Sequence, residues 1–458
     1  MVVARDILVE VSPGELRIAE IDREDRLVRL QVERVGNPSL VGAICRGRVT
    51  RVDKALGGAF LDIGLDTPAF LPRAGSVHEG ESVIAQVMRD GWGDKGPAVT
   101  VSPDLAGRYV VLRPRGRGVR WSPQLGGGKR RAALENSMAG VAQEDDGIVI
   151  RANASRVDGD RIVAEAARLR GVWADAESRA REKSAPAVLQ AAPDLIERAL
   201  RDCAVSGQII VDDRRVAART DELVQREMPD LAGCVAFHDG SEPLFEAEGV
   251  EGQIEQALGR RVALPRGASL VIDELEALSA IDVNMGGAGG GRGADAAVFE
   301  LNRAAASAAA RQIMLRNIAG LIVIDFVSMR SKSHRKQLVE GLRQTFRGDR
   351  VTTDVLGMTP AGLVEITRQR RGPSLAGILT VRPDQEPQPT AETTACAALR
   401  AALRQLGGGR PVLRCAPAVA RLLEGAMNQA LQEVSRRLGQ ELVLQPDADC
   451  PGYEIILT

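Results

Sequence analysis

The stretch SLVIDELEALSAIDVN, residues 269–284, and the stretch LIVIDF, residues 321–326, together predict how this chain folds. Both are rich in apolar and β-branched residues, and they carry Asp282 and Asp325 close to their ends. Between them, apolar residues recur at helical spacing to about Arg316, and Asp295 is placed to cap the start of that helix. A strand, a crossover helix and a second strand predict two parallel neighbouring strands. We therefore expect a mixed α/β fold here.

Two carboxylates are expected to meet at the end of these strands, where α/β proteins place their chemistry. Strand alternation puts Asp282 and Asn284 on one face, and neighbouring strands lie about 4.8 Å apart, so Asp282 and Asp325 can reach one metal ion. Carboxylates that close repel each other and raise one pKa, and a divalent cation removes this conflict. Such an ion also polarises a phosphoryl oxygen and activates a water molecule. The alternative is that both aspartates merely end their strands.

The segments upstream predict a nucleic-acid partner. Residues 40–102 hold short β-like runs separated by glycine turns, which favours a small barrel. Residues 105–133 hold eight basic residues and no acidic residue, with Tyr109 among them. A solvated loop is one interpretation of this segment, and an RNA-facing surface is the one we prefer.

The composition excludes several classes of protein. The 458 residues include 61 acidic side chains and 60 basic ones, and the basic ones are 54 arginines and 6 lysines. This balance excludes a uniformly basic protein but not a local basic groove. Residues 1–17 are charged and no apolar run reaches 18 residues, so we expect neither a signal peptide nor a membrane partner. The six cysteines form no C-x-x-C pair and only three histidines exist, which argues against zinc and favours a reducing, cytoplasmic setting. A catalytic metal would then take oxygen ligands, as magnesium does, with manganese as the alternative.

Several motifs resemble the bacterial ribonuclease E/G family in order and spacing. They are LEALSAIDVN, GLIVIDFVSM, GLVEITRQRRGPSL, QIEQALGRRVALPRGASLVID, VGAICRGRVTRV and GGAFLDIGLDTPAFLP. The resemblance covers about residues 5–380 and is weaker over 381–458.

The resemblance implies a mixed α/β, multidomain chain in which an RNase H-like subdomain is interrupted by an OB-fold barrel and a 5′-sensor subdomain. A DNase I-like catalytic subdomain and a small C-terminal α/β domain, predicted as helix, strand, helix, strand, follow. The boundaries expected from it are 1–34 with 195–257 for the RNase H-like part, 35–102 for the barrel, 103–194 for the sensor, 258–380 for the catalytic part, 381–392 for a linker and 393–458 for the last domain.

The resemblance also implies a magnesium-dependent endoribonuclease that cleaves single-stranded RNA with a metal-activated water and leaves 5′-phosphate and 3′-hydroxyl ends. Its role would be RNA decay or ribosomal-RNA processing. Asp282 and Asp325 match the metal-binding carboxylates, and Asn284 matches the asparagine that positions an aspartate or the attacking water. The RNA-binding matches in the barrel are Phe60, Phe70, Arg89 and Lys95.

The chain departs from the family's pattern at three places. Gly107, Val111 and Arg151 match the sensor of 5′-monophosphate ends, but Ala152 replaces an expected threonine. Thr352 replaces a second arginine, although Arg350 lies two residues away. The family's C-P-x-C-x-G zinc link is missing, so a zinc-linked tetramer is not supported and a homodimer is left open.

Two other functions stay open at this stage. One is a non-catalytic RNA-binding homologue, because the sensor and the zinc link are degraded. The other is a metal-dependent nuclease with a relaxed choice between RNA and DNA, because aromatic and basic residues bind any single strand. The aspartates Asp282 and Asp325 with Asn284 argue for catalysis.

Overall fold

The first part of the chain is dominated by short strands. The computed structural model describes residues 4–93, 95–125, 129–137, 141, 145–286, 294–381, 388–404 and 409–458. The glycine-rich stretch 286–293 and the predicted linker at 381–392 therefore lie largely outside the described residues. Up to residue 204 the elements are β1 Asp6–Val11, β2 Glu15–Ile21, β3 Leu27–Arg34, β4 Ile44–Asp53, β5 Gly58–Asp62, β6 Ala69–Pro72, β7 Ser82–Arg89, β8 Ala98–Thr100, β9 Leu105–Ala106, β10 Val110–Pro114, β11 Gly118–Trp121, α1 Lys129–Ser137, β12 Asp146–Ile150, α2 Gly159–Glu182, β13 Ala187–Gln190 and α3 Leu195–Asp202.

Longer helices alternate with strands in the remainder. Its elements are β14 Ile209–Val211, α4 Arg214–Glu227, β15 Val235–Phe237, α5 Leu244–Ala247, α6 Val250–Leu258, β16 Arg261–Ala263, β17 Ser269–Glu274, β18 Ser279–Asn284, α7 Ala294–Leu315, β19 Gly320–Asp325, α8 Lys332–Phe346, β20 Thr353–Met358, β21 Leu363–Arg368, α9 Leu375–Leu379, β22 Thr380–Val381, β23 Gln388–Pro389, α10 Ala391–Leu403, β24 Pro411–Cys415, α11 Pro417–Glu424, α12 Asn428–Leu438, β25 Val443–Pro446 and β26 Tyr453–Leu457.

The chain divides into two compact units. One unit comprises residues 39–204 and 218–235, and the other comprises 1–38, 205–217 and 236–458. We call them the barrel unit and the sheet unit. The subdomain boundaries expected from the sequence are finer than this division and stay predictions.

A closed five-stranded barrel forms the first half of the barrel unit. Strands β4, β5, β6, β8 and β7 pair in that order, and β7 pairs back onto β4, which closes the ring. Its interior is filled by small and branched side chains such as Ala59, Leu61, Leu71 and Val99. The predicted barrel is confirmed, and its five closed strands fit an OB-like fold.

The basic segment 105–133 contributes more to the core of the barrel unit than its composition predicts. The Arg108 side chain is fully buried and binds Asp230 through Nε and Nη2, at 2.7 and 2.6 Å. Tyr109 is also buried and its hydroxyl donates to Asp230. The prediction that this segment forms an RNA-facing surface is therefore wrong for Arg108 and Tyr109, because a carboxylate more than 100 residues away draws both inside.

Other arginines of the same segment are exposed, but they too lie near carboxylates. Arg113 pairs with Asp104 at 2.9 Å, and Arg131 pairs with Glu135 at 2.9 Å. Asp104 and Glu135 flank the segment in the sequence, so these exposed arginines find acidic partners just outside it.

A six-stranded sheet positions the two aspartates in the sheet unit. The strand order is β16-β17-β18-β19-β21-β20, and β18 and β19 are parallel, as the strand–helix–strand pattern predicts. Helix α7 is alanine-rich, which favours helix, and it covers one face of the sheet together with α8. Asp295 lies inside the first turn of α7, so the expectation that it precedes and caps the helix is wrong.

Two of the other sheets lie largely in the sheet unit as well. Strands β15-β14-β1-β2-β3 form a five-stranded sheet, and β25-β24-β26 form a three-stranded sheet packed with α10, α11 and α12. The predicted helix–strand–helix–strand order of this last part is incomplete, because the structure adds one helix and one strand.

Candidate active site

Asp282 and Asp325 stand side by side at the carboxyl ends of two parallel strands. They are direct partners in the register of β18 and β19. Both are exposed, whereas the neighbouring Ile281, Val283 and Ile324 point to the other face and are buried against the helices. The alternation of the strand therefore places both carboxylates on the open face of the sheet, one strand spacing apart.

Asn284 completes this group. Its side-chain amide donates a hydrogen bond from Nδ2 to Oδ2 of Asp282, at 2.7 Å. Asn284 lies two residues after Asp282, which is the spacing that puts both side chains on one face of a strand. The amide thus limits the rotation of one carboxylate and leaves its other oxygen available.

The charge of this pair is not compensated by nearby cations in the described part of the chain. No arginine, lysine or histidine described by the structure lies within 4 Å of either carboxylate. The described residues also bring no third acidic, histidine or cysteine side chain into a metal-binding cluster with them. Two carboxylates with room for water and phosphate oxygens are the donor set that magnesium takes in phosphoryl chemistry. The residues present therefore fit magnesium.

The barrel carries the two predicted stacking residues as a cross-strand pair. Phe60 on β5 and Phe70 on β6 lie directly opposite each other, with ring centroids 5.4 Å apart and planes tilted by 56°. Both rings are half-buried. The Phe70 ring lies so close to Gly58 that a Cβ there would approach it to 2.6 Å, so glycine is required at this position.

Basic residues accompany these rings. The guanidinium of Arg51 lies 4.5 Å from the centre of the Phe60 ring, a cation–π distance. Arg89 is exposed at the end of β7. Lys95 is exposed and exchanges backbone hydrogen bonds with Trp92, whose side chain is 55% exposed.

Gly107, one of the predicted sensor residues of the barrel unit, lies against a buried carboxylate. Glu165 on α2 accepts backbone N–H bonds from Arg108, Tyr109 and Val110 at 2.7, 2.7 and 2.8 Å. Burial raises the pKa of Glu165, against the lowering effect of these three bonds. A Cβ on Gly107 would lie 2.4 Å from the Glu165 carboxyl carbon, which explains the glycine. Val111 follows on β10 and is half-buried.

Both predicted sensor arginines are already paired with carboxylates. Arg151 donates to the Gly107 carbonyl and, at 2.6 Å, to Asp202. Burial acts to raise the pKa of Asp202, but Arg201 and Arg151 hold it far below its usual range. Arg350, which belongs to the sheet unit, makes two bonds to Glu20 at 2.8 and 2.7 Å. Neither guanidinium is left without a counter-ion.

Sequence reasoning missed three residues of these sites, namely Arg51, Glu165 and Asp202. The sequence pattern could have indicated Arg51, because its strand and the strand of Phe60 form a hairpin. Glu165 and Asp202 gave no local signal, since each is brought to its partners by packing between distant segments.

Comparison with known proteins agrees with this arrangement. The model of the ribonuclease E/G family matches residues 104–371. Ribonuclease G of Salmonella typhimurium (strain SL1344) is 32% identical over 479 aligned positions, which cover 96% of each chain. Ribonuclease G of Haemophilus influenzae is 31% identical over 82% of each chain. Ribonuclease E of the same organism is 31% identical over 81% of this chain and 42% of its own length.

The chain belongs to the ribonuclease E/G family, and its class is therefore that of the endoribonucleases. Within the family it matches proteins named ribonuclease G over nearly their whole length, and proteins named ribonuclease E over less than half of theirs. Within the described residues, no helix is long and apolar enough to cross a membrane.

Proposed function

We propose that this protein is a magnesium-dependent endoribonuclease that cleaves single-stranded RNA and leaves 5′-phosphate and 3′-hydroxyl ends. The observation that carries the proposal is the alignment of Asp282 with Asp325 on parallel strands, both exposed and without a cationic neighbour among the described residues. Relatives named ribonuclease G support RNA as the substrate. The role we propose is RNA decay or ribosomal-RNA processing in the cytoplasm.

The chemistry follows from what these residues hold. Asp282 and Asp325 would hold magnesium, with manganese as the alternative, and zinc is not part of the proposal. Magnesium bound there polarises a phosphoryl oxygen and lowers the pKa of a water molecule. Asn284 keeps Oδ2 of Asp282 engaged, which orients the carboxylate. On the opposite face of β18 and β19, buried apolar side chains pack the two strands against α7 and α8.

The barrel would bind the RNA strand. We propose that Phe60 and Phe70 stack on bases, a contact worth about 1–3 kcal/mol per base. Arg89 and Lys95 would contact phosphates, and Arg51 would support the Phe60 ring. The finer architecture that we propose is the RNase H-like, OB-fold, 5′-sensor, DNase I-like and C-terminal series given above.

We propose that the protein discriminates only weakly between RNA with a 5′-monophosphate and RNA without one. Gly107, Val111, Arg151 and Arg350 match the family's sensor in the sequence, but a phosphate would have to compete with Asp202 for Arg151 and with Glu20 for Arg350. Ala152 adds no hydroxyl donor. A homodimer without a zinc link is compatible with this proposal.

One assay separates the candidate functions. Fluorescent single-stranded RNA and DNA oligomers, each with a 5′-monophosphate or a 5′-hydroxyl, are incubated with the full chain with and without magnesium. We expect magnesium-dependent cleavage of RNA into products with 3′-hydroxyl ends. Binding without cleavage would favour the non-catalytic homologue, and equal cleavage of DNA would favour the relaxed nuclease.

A further inference from the structure

A basic groove lies between helix α8 and the end of strand β20 in the sheet unit. Its lining includes Lys332, Arg335, Lys336 and Arg343 from the helix, with Met358 and Thr359 opposite them. The four cations follow helical spacing, so they share one face of α8. Two of the six lysines of an otherwise arginine-based chain are in this groove.

Three of these cations have no counter-ion in the described part of the chain. Among the residues that the structure describes, no carboxylate lies within 4 Å of Lys332, Arg335 or Lys336. Arg343 differs, because it lies 3.6 Å from Glu340 and donates to the carbonyls of Val355 and Leu356. Arg343 thus links the helix to the strand, whereas the charges of the other three side chains remain available to a ligand in the groove.

Arg335 gives the clearest sign that the groove binds a ligand. Its Nε is buried, yet it donates to no acceptor in the described structure. Its Nη2 makes a long bond of 3.4 Å to the Arg330 carbonyl. A buried guanidinium N–H without an acceptor costs free energy, which a bound oxyanion would recover.

The groove and the aspartate pair lie at the same edge of the sheet. Thr359 donates its backbone N–H to the Leu363 carbonyl at 2.8 Å, and Leu363 is the register partner of Asp325. Strands β19, β21 and β20 are consecutive neighbours, so Thr359 lies about 10 Å from Asp325 at the same edge of the sheet.

We infer that this groove holds the phosphodiester backbone of an RNA strand beside the aspartate pair. The inference rests on the proposed function. The reason is electrostatic: two carboxylates repel a polyanion, and a row of cations at the same edge of the sheet offsets that repulsion while leaving the carboxylates available to metal. Lys332, Arg335 and Lys336 would each contact a phosphate.

The test is a salt titration of binding. A fluorescent 2′-O-methyl RNA oligomer, which resists cleavage, is bound to the full chain without magnesium at several salt concentrations. Each phosphate contact on a single strand contributes about 0.7 to the slope of log K against log salt. We expect the variant K332Q/R335Q/K336Q to lose about 2 from this slope and at least about tenfold in affinity.

A matched control removes three arginines that have counter-ions. Arg303 pairs with Glu300, and Arg436 and Arg437 pair with Glu433. The variant R303Q/R436Q/R437Q should keep the wild-type slope. If the triple groove variant fails to fold by circular dichroism, K332Q/K336Q, which changes only exposed side chains, should still lose about 1.4 from the slope.

An unchanged slope in the folded groove variant, or an equal loss in the control, would overturn the inference. Failure of the proposed function is seen separately. A wild-type chain that binds the oligomer through the groove but cleaves no RNA would contradict the nuclease and leave the groove standing. If the wild-type chain cleaves RNA and the groove variant binds the oligomer normally, the nuclease is supported and the groove is contradicted.

Discussion

The aspartate pair of the sheet unit and two arginines of the barrel unit, Arg108 and Arg151, differ in whether the fold neutralises their charge. In the sheet unit, Asp282 and Asp325 project from strand ends with no cation within 4 Å among the described residues. In the barrel unit, Arg108 is buried on Asp230, and Arg151 is paired with Asp202. A charge that the fold itself neutralises serves the structure. A charge left without a counter-ion points outward to a ligand.

The strongest test of this comparison removes the aspartate charges one at a time. We expect Asp282→Asn and Asp325→Asn each to reduce the single-turnover cleavage rate at least about 1000-fold, or about 4 kcal/mol, because each would hold the metal. Both side chains are exposed, so the thermal unfolding midpoint should stay unchanged. Asp354→Asn, an exposed aspartate on β20, is the matched control. Cleavage at the wild-type rate in both variants, or cleavage that survives chelation of magnesium, would contradict the two-aspartate site.

The second test measures how much the buried Arg108–Asp230 pair of the barrel unit contributes to stability. We expect Arg108→Met to lower the free energy of unfolding by about 3 kcal/mol, because it leaves Asp230 buried without its partner. Arg113→Met breaks an exposed pair with Asp104 and should cost less than about 1 kcal/mol. Urea denaturation measures both. Equal losses in the two variants would show that the buried pair has no special structural role.

The third test concerns the barrel, where an aromatic pair takes the place of charge. We expect Phe60→Ala to weaken binding of single-stranded RNA by about 1–3 kcal/mol, because it removes a stacking surface. Phe60→Trp keeps that surface and is the control. Fluorescence anisotropy measures the affinity, and a thermal melt checks the fold. An unchanged affinity with a lowered melting temperature would assign Phe60 to the core.

The smallest effect is expected at the predicted sensor. Cleavage rates on 5′-monophosphate and 5′-hydroxyl RNA should differ by less than about fivefold, or about 1 kcal/mol, because Arg151 and Arg350 are already paired. Asp202→Asn removes one counter-ion and should increase the monophosphate preference. A large preference in the wild-type chain would show that a phosphate displaces these carboxylates.

Local sequence patterns predicted the structure correctly where strand periodicity and the lengths of connecting segments decide it. The β-rich runs around Asp282 and Asp325 predicted parallel strands, and the alternation predicted that Asn284 shares a face with Asp282. The glycine-spaced runs at 40–102 predicted the barrel. These predictions are correct because strand periodicity and crossover length are properties of the chain itself.

The patterns failed where distant segments supply the partner. Composition suggested that residues 105–133 face RNA, but Asp230 lies 122 positions after Arg108 and draws its guanidinium inside. Asp202 likewise lies 51 positions after Arg151. Nothing in the spacing of one segment reports a carboxylate that another segment contributes.

The sequence by itself determined the family and the parallel pairing of the two strands that carry Asp282 and Asp325. Only the tertiary structure decided which arginines are left for a ligand. It pairs Arg108, Arg151 and Arg350 with carboxylates, and among the described residues it gives the buried Nε of Arg335 no acceptor. The physical reason is that a side chain's type determines its charge, whereas its neighbours in three dimensions determine whether that charge is neutralised.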